Sequence, residues 1–360
     1  RKNLFATTPG IIIVGAVIGL IAVWLQKLGN PANMGICVAC FERDVAGGLG
    51  LHRAAIVQYL RPEIMGLVLG SLAAAIATRE FKPRGGSAPI VRFVLGMIAA
   101  MGALVFLGCP WRAILRLAGG DGNAILGLAG LATGIWFGTL FFKKGYSLGR
   151  SNSQSVVSGA LFPVIAVCLL LLYLIFPQIP DQPQSGPLFY SVKGPGSQHA
   201  PFIASLGLAF IIGIFAQRSR FCTMGAFRDL FLFRYTHLFL GLAAMFAAAF
   251  IANALTGGLK FGFEGQPVAH SDFLWNYLGM VTAGLAFALA GGCPGRQLFM
   301  AGEGDSDAGI FALGMLVGAA MAHNLGTASS GTGIGVYGMQ ATIIGFAVCL
   351  IIGFVHSKKA

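Results

Sequence analysis

Long apolar runs occur throughout this chain of 360 residues and restrict the ways in which it can fold. A helix that spans a bilayer needs about 20 mostly apolar residues. Segments of this kind are predicted at 9–28, 57–78, 89–108, 122–142, 156–177, 202–217, 237–255, 273–292, 306–323 and 336–356. The sequence therefore predicts an all-α integral membrane protein with about ten transmembrane helices.

The composition excludes a water-soluble globular protein. Only 10% of the residues are charged, whereas soluble domains carry about 25%. The formal net charge of +12 would suggest nucleic acid in a soluble protein. Here the charges lie in short loops between apolar runs, and we find no nucleic-acid-binding motif. We therefore expect the lipid bilayer as a partner and no nucleic acid.

Four short segments are too polar to span the bilayer and too apolar to be free loops. They are 33–52, 110–118, 222–235 and 294–302. Such segments are interfacial helices or re-entrant helices that line a cavity. The stretch 178–200 is rich in Pro, Gly, Ser and Gln, and we interpret it as an extramembrane linker between a first half, 1–177, and a second half, 201–360.

An internal repeat relates the two halves. Cys37 and Cys222 each begin a C-x5-R-D motif, and Cys109 and Cys293 each lie in a G-C-P-x-R motif. The distance between the two cysteines is 72 residues in the first half and 71 in the second. Packing alone would not require Cys and Arg at equivalent positions, so we interpret the repeat as functional.

The number of spans in each half predicts the orientation of the repeat. Five spans per half force the second half to enter the membrane from the opposite side, which gives two inverted repeats. The 24 Lys and Arg divide 16 to 8 between the two sides. The positive-inside rule then places both termini in the cytoplasm. Arg1 and Lys2 before an apolar run resemble a signal peptide, but we predict a helix there because no cleavage site follows.

The G-C-P-x-R motifs have the composition of an anion site. Pro110 and Pro294 are predicted to begin short helices, since proline is favoured at the first helical position. The preceding cysteines would then be N-caps, where free N–H groups and the helix dipole attract anions. Arg112 and Arg296 add a positive charge one turn away. Alternatively, each motif simply ends a helix and the cysteine fills space.

The C-x5-R-D motifs place ionisable groups close to cysteines. On a helix, Asp44 and Asp229 share the face of the cysteine seven residues earlier. Arg43 and Arg228 point elsewhere, so we expect each Arg and Asp to pair with another helix. Charges at membrane depth usually mark a pathway. Alternatively, they anchor the chain at the interface.

The remaining cysteines carry weaker signals. Cys40 forms a C-x-x-C motif with Cys37, but Gly225 stands at the equivalent position of the second half. A zinc site would need two more ligands nearby. Cys168 and Cys349 lie inside apolar spans and are expected to fill space. We expect no metal, no cofactor and no catalytic residue.

Thiols along a transport path suit a particular class of substrate. A thiol is soft, polarisable and a weak hydrogen-bond donor. It matches an anion that ends in a soft chalcogen, such as the terminal sulfur of thiosulfate or a selenium species. Weak contacts or reversible bonds at several sites would allow such an anion to pass.

These motifs resemble those of the YeeE/YedE family, and the resemblance extends through both halves. It rests on Gln217–Asp229, on the paired G-C-P-x-R motifs, and on Asn33–Phe41 and Leu51–Ala54, which are similar to the YedE branch. The resemblance implies an hourglass-shaped inverted-repeat fold in the bacterial inner membrane. It implies uptake of thiosulfate along Cys37, Cys109, Cys222 and Cys293, or of a selenium compound in the YedE branch. It also implies a cytoplasmic TusA-like sulfur-carrier protein as partner.

Two other functions remain open at this stage. One is a thiol-dependent membrane oxidoreductase, although the chain has no haem-ligand His pairs, dinucleotide fingerprint or quinone motif. The other is a membrane subunit that docks a sulfur- or selenium-carrier protein. We favour a transporter that is not an enzyme.

Overall fold

The computed structural model describes residues 4–357. The predicted positions of both chain ends, including Arg1 and Lys2, lie outside these residues. The described first half contains helices α1 (Thr8–Lys27), α2 (Val38–Gly48), α3 (Pro62–Ala77), α4 (Pro89–Phe106), α5 (Pro110–Ala118), α6 (Asn123–Lys143) and α7 (Val156–Ile175). The described second half contains α8 (Phe202–Ser219), α9 (Thr223–Phe233), α10 (His237–Leu255), α11 (Phe273–Ala290), α12 (Pro294–Gly302), α13 (Ser306–Asn324) and α14 (Gly338–Val355).

The predicted all-α membrane fold is confirmed. Within the described residues, nine helical segments are long and apolar enough to cross a bilayer. The tenth predicted span is shorter than expected, because α3 has 16 residues and begins only at Pro62. The residues before it form a loop that packs on α2, where the backbone N–H of Tyr59 donates to the carbonyl of Asp44 at 3.0 Å.

Short extended segments complete the described chain. Strands β1 (Arg84–Gly85) and β2 (Asn152–Ser153) pair antiparallel. Strands β3 (Gln184–Ser185) and β4 (Leu188–Phe189) form a small hairpin inside the predicted linker. Two 3₁₀ turns lie at Leu4–Ala6 and Pro195–Ser197.

The helices of the two halves pack in a pattern of exchanged partners. Helix α1 packs on α10, and α3 packs on α8. Likewise α4 packs on α13, and α6 packs on α11. Counting helices from the start of each half, α1 corresponds to α8, α3 to α10, α4 to α11 and α6 to α13, so each contact has a counterpart with the halves interchanged. This packing is what a pseudo-two-fold axis requires, and it supports the predicted repeat.

Glycines bring the exchanged helices close together. Gly15 of α1 lies against the backbone carbonyl of Gly241 in α10, and no room is left for a Cβ atom. Gly70 of α3 lies in the same way against the carbonyl of Phe210 in α8. Small residues at helix crossings are the usual means of close packing in a bilayer.

The helix breaks before α5 and α12 follow from local sequence. Leu107 and Gly291, two residues before each motif cysteine, both have left-handed backbone conformations, with φ of 63° and 87°. This conformation ends the preceding helix, and the following proline begins the next one. Leu107 bears a steric cost of about 1–2 kcal/mol that Gly291 avoids. The side chain of Arg112 donates a hydrogen bond to the Leu107 carbonyl and holds this turn.

Candidate functional site

The two motif cysteines of the first half lie together at the starts of two short helices. Cys37 is the N-cap of α2, and its Sγ accepts the N–H of Cys40 at 3.4 Å. Cys109 is the N-cap of α5, as predicted from Pro110. The thiols of Cys37 and Cys109 are within hydrogen-bonding reach of each other. Both cysteines are at most 1% exposed, so this thiol pair is buried.

The second half repeats this arrangement. Cys222 is the N-cap of α9, and its Sγ accepts the N–H of Gly225 at 3.2 Å. Cys293 is the N-cap of α12, as predicted from Pro294. The thiols of Cys222 and Cys293 also lie within hydrogen-bonding reach. The four cysteines predicted to line a path therefore form two equivalent pairs, each where two helix N-termini meet.

Cys40 extends the first pair into a group of three thiols. It is within hydrogen-bonding reach of Cys37. Its Sγ lies 3.9 Å from the carbonyl oxygen of Leu107 and 3.7 Å from Nη1 of Arg112. Gly225 occupies the equivalent position in the second half, so the two thiol groups differ in this one member.

The two motif arginines have different surroundings. Arg112 is fully buried and donates to backbone carbonyls of Asn33, Pro267 and Val268 as well as Leu107. It thus ties the break before α5 to two loops. Arg296 is 11% exposed and pairs with Glu303 at 3.3 Å. Of the two motif arginines, Arg296 of the second half is therefore the one whose charge faces a cavity.

An open cavity of about 540 Å³ leads to the second thiol pair. Cys222, Arg220, Arg228 and Arg296 lie in its wall, together with Asp229. A neighbouring cavity of about 260 Å³ shares two of these arginines and adds Lys82, Arg84, Glu80 and Glu303. Because cationic groups outnumber carboxylates in both walls, the approach to Cys222 is positively charged.

A comparison with protein families finds a match to the second half of the chain. The sequence model of the family described as "Sulphur transport" matches residues 218–353. The match lies within the second half of the chain. This match supports the resemblance to the YeeE/YedE family. The matched residues include Cys222 and Cys293.

A curated relative points in the same direction. The protein named "Thiosulfate transporter TsuA" from Spirochaeta thermophila is 32% identical over 106 residues. This match covers 29% of the chain and 32% of the relative, so the chain is aligned with about a third of that protein's length.

The expected partners of the C-x5-R-D charges are partly wrong. Arg43 pairs with the adjacent Asp44, with Nη2 and Oδ1 2.7 Å apart, and has no ion pair with another helix among residues 4–357. Arg228 pairs in the same way with Asp229 at 2.7 Å. A bent arginine side chain can reach its neighbour although their Cα–Cβ bonds diverge. The prediction of a partner across helices is correct for Asp44, which also binds Arg61 at 2.7 Å.

Sequence reasoning missed Arg61 and Trp111. Arg61 is fully buried, and its only sequence signal is its position immediately before Pro62 at a helix start. Trp111 is 1% exposed and occupies the variable position of G-C-P-x-R, where the second half has Gly295. This difference between tryptophan and glycine at equivalent positions was a sequence signal that could have identified Trp111.

Three loop histidines near the site are held uncharged. Burial lowers the pKa of His52, His199 and His270 below the ordinary value of 6.5. Nε2 of His52 lies 3.0 Å from the carbonyl of Arg43, and the ring of His199 stacks on Tyr59 at 4.3 Å between centroids.

Across the described residues, no group of three or more His, Cys, Asp or Glu is arranged to hold a metal ion.

Proposed function

We propose that the protein transports a small sulfur-containing anion of the thiosulfate type, or its selenium counterpart, across a bilayer. The anion would pass the second thiol pair, Cys222 and Cys293, and the first pair, Cys37 and Cys109. The observation that carries this proposal is the repetition of one thiol pair at two meetings of helix N-termini, one in each half.

The chemistry of these positions suits a soft anion. Free N–H groups and the positive end of the helix dipole attract negative charge. The paired thiols offer polarisable, weakly donating contacts that bind without holding the anion tightly. Weak binding at successive positions favours passage over trapping. The positively charged wall around Cys222 would raise the local concentration of anions.

The choice of sulfur is supported by the family and by the relative named as a thiosulfate transporter. Selenium compounds belong to the proposal because of the YedE-like residues around Cys37 and His52.

We also propose that the protein is not an enzyme, and that it resides in the bacterial inner membrane with both termini cytoplasmic. The cavity at Cys222 would then face the cytoplasm, where a TusA-like carrier could receive sulfur.

Uptake measured in a host that lacks other importers tests this function. Thiosulfate, selenite and thiol-bound selenium are compared, with the protein and with Cys109→Ala and Cys293→Ala. We expect accumulation of at least one substrate and its loss in both variants. Cys168→Ala is the matched control, because Cys168 is exposed on the outside of the helix bundle and should be dispensable. Normal uptake in the Cys109 and Cys293 variants would refute the thiol path.

The carrier and the orientation need their own experiments. A pull-down of a TusA-like protein with the solubilised transporter tests the partner. Reporter fusions at both ends test the predicted cytoplasmic termini. Periplasmic signals at both ends would reverse the side on which the Cys222 cavity opens, while leaving the transport assay unaffected.

A further inference from the structure

One tryptophan from the first half reaches into the second half. Trp111 is the second residue of α5 and is buried. Its ring centroid lies 5.8 Å from that of Phe221 and 5.9 Å from that of Phe299. Phe221 immediately precedes Cys222, and Phe299 lies on α12, which begins after Cys293. We refer to Trp111, Phe221 and Phe299 as the central aromatic group.

The second half has a glycine at the position that Trp111 occupies in the first half. Gly295 is the second residue of α12 and the counterpart of Trp111. A Cβ atom added to Gly295 would lie 3.1 Å from Cζ2 of the indole, so the ring fills the space that a second side chain would need. A bulky residue therefore fits at one of the two equivalent positions and not at both. The central aromatic group thus joins the two G-C-P-x-R motifs through a single large side chain.

The indole also carries an unsatisfied polar group. Its Nε1 is buried and has no hydrogen-bond partner among the described residues. Buried donors are nearly always paired, so an unpaired one needs an explanation. An indole N–H can donate but cannot accept, and a passing anion would supply the acceptor that the protein lacks.

We propose that Trp111 is the central gate between the two thiol pairs and a selectivity residue for anions. This inference rests on the transport function proposed above. The ring and its two phenylalanine neighbours form an apolar constriction between the thiol pairs, which is closed to water and unselected ions when no substrate is present. When an anion arrives, Nε1–H donates a hydrogen bond to it while the ring shifts aside. Cations gain nothing from this donor and remain excluded.

A transport measurement separates the two roles of the indole. Trp111→Phe keeps an aromatic ring and removes the N–H group, so thiosulfate uptake into proteoliposomes should fall roughly tenfold or more, as for loss of a hydrogen bond to a charged group. Trp111→Ala should open the constriction and raise chloride leak. Trp136→Phe is the control, since Trp136 is 45% exposed on α6. Unchanged uptake in Trp111→Phe would overturn the selectivity role.

A labelling measurement tests the gate without any transport. In a full-length protein whose only cysteine is Cys109, a charged, membrane-impermeant methanethiosulfonate is added from the side of the Cys222 cavity. With Trp111 present, Cys109 should be protected; with Trp111→Ala, it should react at least tenfold faster. If Trp111→Ala does not accumulate in the membrane, Trp111→Leu takes its place. Equal protection with and without the indole would overturn the gate.

The two assays distinguish the failure of this inference from the failure of the proposed function. If the unmodified protein takes up no sulfur or selenium compound, the transport proposal fails, and the labelling experiment still decides whether Trp111 closes the passage. If the unmodified protein transports and the Trp111 variants match it in both assays, only the role of Trp111 is refuted.

Discussion

Asp44 binds Arg61 through a fully buried ion pair, with Oδ2 and Nε 2.7 Å apart. The other carboxylate oxygen, Oδ1, accepts from Arg43, so one carboxylate stands between two guanidinium groups. The corresponding pair of the second half, Arg228 and Asp229, lies at a cavity wall and is partly exposed. The same motif therefore makes a buried network in one half and a solvated pair in the other.

This difference predicts unequal effects of one substitution at two equivalent positions. Asp44→Asn leaves two buried guanidinium groups without their shared counter-charge, and we expect a loss of about 3–5 kcal/mol in stability. Asp229→Asn removes a solvated pair and should change stability by at most about 1 kcal/mol. Thermal unfolding of both variants in the same detergent compares them directly. Equal shifts would contradict the buried network.

The interface between the linker and the first half gives a second prediction. Nη1 and Nη2 of Arg61 each donate at 2.9 Å, to the carbonyls of Gln198 and Pro195. The stacked ring of His199 adds a further contact to the same loop. Because this arrangement uses the planar fork of a guanidinium, Arg61→Lys should loosen the linker while it keeps the charge.

Limited proteolysis measures that loosening. Cleavage within 178–200 should be several-fold faster in Arg61→Lys than in the unmodified protein. Arg53→Lys is a suitable control, since Arg53 lies over the ring of the linker residue Phe189 at 5.6 Å and a lysine can keep this contact. A cleavage rate that does not change in Arg61→Lys would show that other contacts hold the linker.

The loop histidines predict a dependence of stability on pH. Their pKa values are lowered by burial in the folded state, so the unfolded chain binds more protons once the pH falls below 6.5. Their contribution to stability is therefore complete above pH 6.5 and is lost as the pH falls through the window between the unfolded and folded pKa values. We expect the unfolding temperature in detergent to fall between pH 7 and pH 5.

A variant assigns part of this effect to one side chain. His52→Gln keeps a donor for the Arg43 carbonyl and removes the titrating group. The fall in unfolding temperature between pH 7 and pH 5 should be smaller in this variant. An identical pH profile would show that His52 does not contribute to it.

The helices and the helix breaks at the motif cysteines could be predicted because they depend on residues that are close together in the sequence. Length and hydropathy place the spans, and a proline one residue after a cysteine places the starts of α5 and α12 at Pro110 and Pro294. The partners of Arg61 and Trp111 could not be predicted. Asp44 lies 17 residues from Arg61, and Phe221 lies in the other half from Trp111, so both contacts depend on how separate helices are packed.

The greater exposure of Cys222 among the four paired cysteines gives the last prediction. Cys222 is 6% exposed and lines the open cavity, whereas Cys37, Cys40 and Cys109 are at most 1% exposed. Cys222 is also the N-cap of α9 and shares its cavity wall with Arg220, Arg228 and Arg296. Maleimide reacts only with a thiolate that it can reach. A water-soluble maleimide should therefore modify Cys222 about tenfold faster than the first-half cysteines, or faster still.

Peptide mass spectrometry over a time course reads this order for each cysteine in one sample. Added thiosulfate should slow the labelling of Cys222, because the anion would occupy the same position, while sulfate at equal ionic strength should slow it less. Labelling of every cysteine after denaturation of the same sample serves as the internal reference, since it should not respond to either anion. If Cys109 reacts before Cys222, the open approach leads to the first thiol pair and the proposed direction of the cavity is wrong.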